Sequence, residues 1–192
     1  MLLPELVAQV LSSPSRLPGS RLVCLDGRAG AGKTSLADEL AAGCTLACPG
    51  QVSVLHLDDL YAGWSGLPDV ADLVATSLVA PWRRGLPGYV ATWDWHRGVR
   101  REPVPQVPTS VILLEGVGSY ARRYADAISS LIWVESPEPV RRARALARDG
   151  RVFAAHWDRW AADEEFVHAR EGTRSAADVV VDTGLVVEQA AR

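Results

Sequence analysis

The chain has 192 residues, a net charge of −3, and 48% hydrophobic and 22% charged residues. These values are typical of one globular domain that buries its own core, so we expect a single domain over residues 1–192. The weakly acidic balance gives no indication of a nucleic acid or an acidic membrane surface as a partner. No apolar run approaches the roughly 20 residues needed to span a bilayer. We therefore expect a cytoplasmic protein without a membrane partner, and the sequence predicts no oligomeric state.

Short apolar strands alternate with helical segments along most of the chain. The pattern predicts strands at residues 21–26, 52–57, 110–114, 131–134 and 178–182. It predicts helices at residues 2–11, 33–42, 69–79, 137–149 and 152–171. Such alternation is typical of βαβ units, and strands that are apolar on both faces are typical of a sheet covered by helices on both sides. The prediction is an α/β three-layer sandwich with a five-stranded, mainly parallel sheet.

Residues 80–108 interrupt this alternation. The segment is rich in Pro, Gly, Trp and Arg. That composition favours a long surface excursion over a core element. We therefore predict an insert at 80–108.

A glycine-rich motif connects the first predicted strand to the helix that follows it. Residues 27–34 read GRAGAGKT and match G-x-x-x-x-G-K-[ST]. Backbone N–H groups in such a turn point at phosphate oxygens, and the helix adds its positive N-terminal end. The motif predicts a P-loop NTPase that binds ATP with Mg²⁺, with Lys33 on the β- and γ-phosphates and the Thr34 hydroxyl as a metal ligand. The predicted nucleotide-binding residues here are Gly27, Arg28, Ala29, Gly30, Ala31, Gly32, Lys33, Thr34 and Ser35.

The use of lysine supports this interpretation. Of the 20 basic residues, 19 are Arg, and Lys33 is the one lysine. A lysine ammonium is a compact charge on a flexible stem, and it is not interchangeable with a guanidinium at a tight phosphate site. The placement of the single lysine inside the motif therefore indicates function.

Acidic residues follow three of the predicted strands. Asp26 precedes the glycine-rich motif, Asp58 and Asp59 follow the second strand, and Glu115 follows the third. The carboxyl ends of parallel strands form the edge of the sheet where ligands bind. Phosphoryl transfer needs a group that accepts the proton of the nucleophile, and Asp58 is the predicted base. Asp59 is expected to cap the following turn.

The order of these motifs resembles the uridine kinase-like P-loop kinases, a group that includes uridine, pantothenate and phosphoribulo-kinase relatives. The resemblance covers residues 21–182 and depends on GRAGAGKT, on LDDLY at 57–61, on WDW at 93–95 and on EG at 115–116. It implies that Asp58 deprotonates an acceptor hydroxyl, and that Glu115 lies near Mg²⁺. It also makes 80–108 an acceptor-side insert. The acceptor-binding residues that it implies are Tyr61, Trp93, Asp94 and Trp95.

Arginines are concentrated in the fourth predicted helix and just after it. They are Arg141, Arg142, Arg144, Arg148 and Arg151. Arg144 and Arg148 are four residues apart and share a helical face, where like charges favour an anionic partner. The segment resembles the lid of the same kinases, predicted here as a short lid at 141–152. The resemblance implies that Arg148 is catalytic, that Arg144 binds the nucleotide, and that Thr183 and Gly184 contact the base. A solvated helix face paired with Glu138 and Asp149 remains the alternative.

Three functional hypotheses follow. The first is a kinase that transfers the γ-phosphoryl group of ATP to a hydroxyl of a small molecule, including a nucleoside. The second is a nucleoside monophosphate kinase, for which insert arginines would bind the acceptor phosphate: Arg83, Arg84, Arg97, Arg100 and Arg101. The third is a nucleotide-binding regulatory module without catalysis, which leaves Asp58 and the lid unexplained.

Overall fold

The computed structural model describes residues 2–49 and 51–184, without the side chains of residues 149 and 151. The strands in chain order are β1 (Arg21–Asp26), β2 (Val52–His56), β3 (Gly88–Val90), β4 (Trp93–Asp94), β5 (Val99–Arg100), β6 (Val104–Gln106), β7 (Val111–Glu115), β8 (Ile128–Glu135) and β9 (Val179–Asp182). The helices are α1 (Leu3–Ser12), α2 (Lys33–Ala47), α3 (Val70–Leu73), α4 (Ala80–Trp82), α5 (Glu138–Ala154), α6 (Trp157–Glu171) and α7 (Thr173–Ala176). A π-helical segment (Val74–Val79) joins α3 to α4.

Five strands form one parallel sheet in the order β2-β7-β1-β8-β9. The first strand lies at the centre, between β7 and β8, so the carboxyl ends of all five strands meet at one edge. The prediction of a five-stranded parallel sheet in an α/β three-layer fold is confirmed. This arrangement places the glycine-rich motif after β1 in the middle of that edge.

Both faces of the sheet are apolar because successive side chains of each strand point to opposite sides. In β1, Leu22 and Cys24 pack against one layer of helices, and Val23 and Leu25 pack against the other. Helices α1 and α2 form the second of these layers. Helices α3 to α6 contribute to the first layer. Within the described ranges, no helix combines the length and the apolar character needed to cross a bilayer.

Helix α6 carries a buried stripe that includes polar residues. Its buried side chains are Trp157, Trp160, Glu164, Val167 and His168, which recur at helical spacing and therefore share one face. Because Glu164 and His168 are 1% and 7% exposed, they need hydrogen-bond partners inside the protein. Those partners lie in and beside the glycine-rich motif, as described below.

The segment 80–108 differs from the predicted surface excursion. Strand β3 pairs with β6, and β4 pairs with β5, both antiparallel. In sequence, the β4–β5 hairpin therefore lies between the two strands of the β3–β6 pair. Trp82 and Val90 are almost fully buried in the core on the α6 side of the sheet. The Trp82 indole donates to the carbonyl of Gln106 at 2.9 Å. The prediction of a surface loop was based on amino-acid composition alone. Composition does not show which tryptophan side chain is buried in the core.

The boundary between the last two long helices also differs from the prediction. Helix α5 continues to Ala154 and not to 149, and α6 begins at Trp157 and not at 152. Gly150, with φ of 63° and ψ of −145°, interrupts the helical geometry inside α5. Only glycine adopts this conformation readily, so the position bends the predicted lid segment. The side chains of Asp149 and Arg151, which the lid prediction included, lie outside the described residues.

Candidate nucleotide and phosphoryl-transfer site

The glycine-rich motif forms a turn at the centre of the sheet edge, with Lys33 at the start of α2. Lys33 is 8% exposed, and its ammonium donates to the carbonyl of Arg28 at 3.1 Å. The side chain therefore folds back across the turn that it closes. At Gly30, φ is +75° and an added β-carbon would lie 2.1 Å from the carbonyl oxygen of Arg141. The turn is thus packed against α5 so closely that only glycine fits there.

Replacing Gly30 with Ala should lower the free energy of unfolding by roughly 3 kcal/mol or more, because left-handed strain adds to a backbone clash. Urea unfolding followed by circular dichroism measures the change. Gly85→Ala is the matched control: its φ is +69° but nothing lies within 4 Å of an added β-carbon. It should lose about 1–2 kcal/mol. Equal losses in the two variants would show that the contact with α5 is unimportant.

The Thr34 hydroxyl and the Glu115 carboxylate come together beside Lys33. Thr34 Oγ1 lies 3.3 Å from Glu115 Oε1, and Glu115 is 3% exposed at the end of β7. The Nδ1 atom of His56, at the end of β2, lies 2.6 Å from the same oxygen, and this hydrogen bond raises the pKa of His56. Hard oxygen ligands of this kind suit Mg²⁺, so the two residues predicted as metal ligands form a suitable pair.

Asp58 and Arg148 form an ion pair between the segment after β2 and helix α5. Asp58 lies in the short 3₁₀ turn (Leu57–Asp59) after β2 and is 52% exposed, with Oδ2 at 3.9 Å from Nη2 of Arg148 on α5. The indole of Trp95, in the insert, donates to the backbone carbonyl of Asp58 at 2.9 Å. The predicted base and the predicted catalytic arginine are therefore neighbours, although they lie far apart in the sequence and come from different elements of the fold.

Arg144 lies on the other side of the glycine-rich turn. Its guanidinium donates to the hydroxyl of Thr183 at 2.9 Å and to the carbonyl of the same residue at 3.2 Å. The Thr183 hydroxyl in turn donates to the carbonyl of Ala31 at 2.7 Å. Arg144 is also 3.8 Å from the position of an added β-carbon at Gly32. Helix α5, the loop after β9 and the glycine-rich turn are thus joined where a nucleotide is predicted to bind.

The predicted acceptor residues occupy different environments. Tyr61 is 1% exposed and its hydroxyl donates to the carbonyl of Val117 at 2.8 Å, so it packs beneath the site. Asp94 accepts from the backbone N–H groups of His96 and Arg97, which lowers its pKa and fixes the β4–β5 turn. Trp93 packs against Gly63. Contact of these residues with an acceptor stays a prediction.

Trp95 belongs to an aromatic cluster beside Asp58. Trp64 is its centre: the ring of Trp95 lies 5.0 Å away and that of His156 lies 4.4 Å away, the latter stacked at 14°. Phe153 also stacks on Trp64, at 5.4 Å, and the edge of Trp160 meets it at 6.0 Å. Trp64 was not among the predicted site residues, because its aromatic neighbours come from two segments distant in sequence, at Trp95 and at 153–160.

A buried carboxylate on α6, Glu164, accepts a hydrogen bond from the backbone of the glycine-rich turn. Glu164 Oε1 accepts from the backbone N–H of Ala29 at 2.7 Å and from the Trp160 indole at 2.8 Å. Burial raises the pKa of Glu164, and the nearby charge of Lys33 opposes that effect. Sequence reasoning missed this residue, since a glutamate in a helix with many charges gives no signal of burial.

A second buried carboxylate fixes the base of the turn. Asp26 is fully buried and accepts from the backbone N–H groups of Gly27, Gly118 and Tyr120 at 2.7–2.9 Å. Nε2 of His168, on α6, lies 3.0 Å from Oδ1 of the same carboxylate. Asp26 thereby connects the ends of β1 and β7 to α6. Together with the Glu164–Ala29 hydrogen bond, this contact attaches α6 to the glycine-rich turn at two points.

The raised pKa of Glu164 gives a pH prediction. A carboxyl group with a higher pKa in the folded state stabilises the fold fully below its unfolded pKa, near 4.5, and loses that contribution as pH rises through the folded pKa. Gln cannot ionise, so the unfolding free energy of Glu164→Gln minus that of the unmodified protein should rise between pH 4.5 and 7.

Urea unfolding at three pH values over this range measures the trend. Glu165→Gln is the control with the opposite sign, because Arg28 lowers the pKa of Glu165. Its stability relative to the unmodified protein should fall as pH rises to about 4.5 and stay nearly constant from there to pH 7. Parallel pH profiles for Glu164→Gln and the unmodified protein would contradict the assignment of a buried, titrating Glu164.

Comparison with known proteins supports the fold and leaves the activity open. No family model matches the chain, and no curated protein sequence matches it. A possible uridine kinase from Bacillus stearothermophilus aligns over 94% of this chain and 97% of its own, with a TM-score of 0.66 and 18% identity. A provisionally named fructose transport system kinase from Silicibacter sp. TM1040 aligns over 94% and 99%, with a TM-score of 0.62 and 21% identity. The chain has the fold of the uridine kinase-like P-loop kinases. At these identities the similarity concerns fold.

Proposed function

We propose that the protein is a Mg²⁺-dependent kinase that transfers the γ-phosphoryl group of ATP to a hydroxyl of a small molecule. The observation that carries the proposal is the juxtaposition of Asp58 and Arg148 at the sheet edge where the P-loop motif lies. A phosphate-binding turn alone would serve any nucleotide-binding module. A carboxylate at 3.9 Å from an arginine of the lid helix adds the two groups that transfer requires: an acceptor for the proton and a positive charge for the phosphoryl oxygens.

The position of each residue indicates its role in the proposed reaction. The backbone N–H groups of the glycine-rich turn and the Lys33 ammonium bind the triphosphate. Thr34 and Glu115 would hold Mg²⁺, which when bound neutralises charge on the phosphate oxygens. Asp58 orients the acceptor hydroxyl and accepts its proton as the new O–P bond forms. Arg148 stabilises the negative charge on the transferring group, and Arg144 with Thr183 orients the nucleotide.

The contacts of three of the five candidate insert arginines disfavour a nucleoside monophosphate kinase. Arg83 pairs with Asp126, and Arg101 pairs with Asp94. Arg100 donates to the carbonyl of Ala91. An acceptor phosphate would compete with these contacts. A neutral, hydroxyl-bearing acceptor is more compatible with the insert, and the uridine and fructose in the names of the two similar structures both carry such hydroxyls.

A coupled ADP-release screen tests the proposal. Nucleosides, sugars, pantothenate-like vitamins and nucleoside monophosphates are each added at millimolar concentration with ATP and Mg²⁺. The proposal expects release well above background with a hydroxyl-bearing acceptor and a phosphorylated product detected by mass spectrometry. Binding of ATP by calorimetry without release for any acceptor would support the regulatory module.

A further inference from the structure

Trp64 contacts the segment that holds the predicted base. It lies in a 3₁₀ turn (Gly63–Ser65) that follows the turn of Asp58, and its ring is half-buried against the core. The rings of Trp64 and Trp95 are 5.0 Å apart. The Trp95 indole in turn donates to the backbone carbonyl of Asp58 at 2.9 Å. Trp64 is therefore connected to Asp58 through Trp95 as well as through the short stretch of chain between them.

The same ring contacts the end of the helix that carries Arg148. Phe153 in α5 stacks on Trp64 at 5.4 Å, and His156, just after α5, stacks on it at 4.4 Å. Gly150, where the helical geometry is interrupted, lies between Arg148 and these two residues. Because glycine leaves the backbone unusually free, packing beyond Gly150 is needed to fix the direction of α5. Trp64 supplies two stacking contacts for this purpose.

The direct contact between Asp58 and Arg148 is a weak constraint on their separation. Both side chains are more than half exposed, with Oδ2 and Nη2 3.9 Å apart, and exposed ion pairs contribute little to stability. Aromatic pairs contribute more and have preferred geometries. Trp64 is itself fixed by the edge of the buried Trp160, at 6.0 Å. The contacts of Trp64 are thus better suited than the ion pair to set the distance between the base and the arginine.

We infer that Trp64 is a positioning residue for phosphoryl transfer: through its aromatic neighbours it holds Asp58 and Arg148 at the separation that transfer requires. This role rests on the proposed function and needs no contact between Trp64 and a substrate. A misplacement of about 1 Å can lower a rate about 100-fold. Loss of the Trp64 ring should therefore lower kcat, while the glycine-rich turn keeps its affinity for ATP.

Turnover of Trp64 variants tests this role, with the acceptor identified by ADP release. We expect Trp64→Ala to lower kcat about 10- to 100-fold, with an ATP affinity within about threefold of the unmodified protein. Trp64→Phe keeps a ring that can stack, and it should recover most of the lost kcat. If Trp64→Ala does not fold, Trp64→Leu keeps apolar volume without a ring and should show the same loss. Phe166→Ala, at an exposed aromatic residue of α6, is the control and should leave kcat unchanged.

A double-mutant cycle separates positioning from general damage. In the Asp58→Asn background, loss of the Trp64 ring should lower kcat by no more than about threefold, because the base that Trp64 positions is already absent. A general structural role would lower kcat by the same factor in both backgrounds. Equal factors, or a kcat of Trp64→Leu equal to that of the unmodified protein, would overturn the assignment.

Exchange of the Trp95 indole N–H with water, followed by NMR on ¹⁵N-labelled protein, gives a readout that needs no turnover. This N–H donates to the Asp58 carbonyl, so its exchange should be faster in Trp64→Leu than in Trp64→Phe or Phe166→Ala. Absence of turnover in the unmodified protein with every acceptor would refute the proposed function and, with it, the role of Trp64. Unchanged Trp95 exchange in a Trp64→Leu variant of an active enzyme would refute the role of Trp64 alone.

Discussion

Replacing Asp58 with Asn is expected to lower kcat by about 10²- to 10⁴-fold, the usual contribution of a general base. The amide keeps the shape of the side chain but cannot accept the proton of the acceptor hydroxyl. ATP affinity should change little, because Asp58 is half-exposed after β2 and is not part of the glycine-rich turn predicted to bind the triphosphate. Steady-state ADP release gives kcat for the acceptor found in the screen, and calorimetry gives the ATP affinity.

Asp59→Asn is the matched control for this experiment. It removes the same charge from the adjacent exposed residue and therefore reproduces any general electrostatic effect at the end of β2. Its kcat should stay within about threefold of the unmodified protein, since surface substitutions away from a site have small effects. Equal turnover of Asp58→Asn and the unmodified protein would rule out Asp58 as the base. Equal losses of kcat in Asp58→Asn and Asp59→Asn would indicate that turnover depends on negative charge after β2 in general and not on Asp58 as a base.

The parts of the fold that the sequence predicted are those governed by local pattern. Strand β1 has apolar residues on both faces, and the glycine-rich turn must follow it, so its place at the sheet edge was predictable. The positions of Glu115 and Asp58 were predictable for the same reason, because Glu115 ends a strand of a parallel sheet and Asp58 lies in the short turn after another. These positions require only the identity and order of the strands.

The contacts that support the turn were not predictable, because they join residues far apart in the chain. Glu164 reaches Ala29 across 135 positions, and His168 reaches Asp26 across 142. Arg141 was recognised as one of several arginines, but its burial depends on how closely Gly30 lets α5 approach. A helical pattern predicts on which face of a helix each residue lies. It does not predict which other element packs against that face.

Burial of tryptophan in the insert illustrates the same limit. Trp82 lies in the core and Trp95 lies at the surface beside Asp58, yet both occur in a segment of loop-like composition. The pairing register of β3 with β6 determines that Trp82 is buried. The hydrogen bond to the Asp58 carbonyl determines where Trp95 lies at the surface. Neither follows from residue type.

Replacing Lys33 with Ala is expected to weaken ATP binding about 10- to 100-fold, because charge-assisted hydrogen bonds to phosphate contribute about 1.5–3 kcal/mol. The loss should be larger for ATP than for AMP, since Lys33 is predicted to contact the β- and γ-phosphates. Calorimetric titration of both nucleotides measures this difference. Arg142→Ala removes an exposed positive charge from α5 and should leave both affinities nearly unchanged. Unchanged ATP affinity in Lys33→Ala would contradict the nucleotide site itself.

Lys33→Arg separates charge from shape at the same position. Lys33 is 8% exposed and folds against the carbonyl of Arg28, so a planar guanidinium has little room there. We therefore expect its ATP affinity to fall nearly as far as that of Lys33→Ala. Full affinity in Lys33→Arg would mean that the site needs only a positive charge, and the single lysine of the chain would lose its significance. Loss of binding in both Lys33 variants, together with loss of turnover but not of binding in Asp58→Asn, would distinguish a kinase from a module that only binds nucleotide.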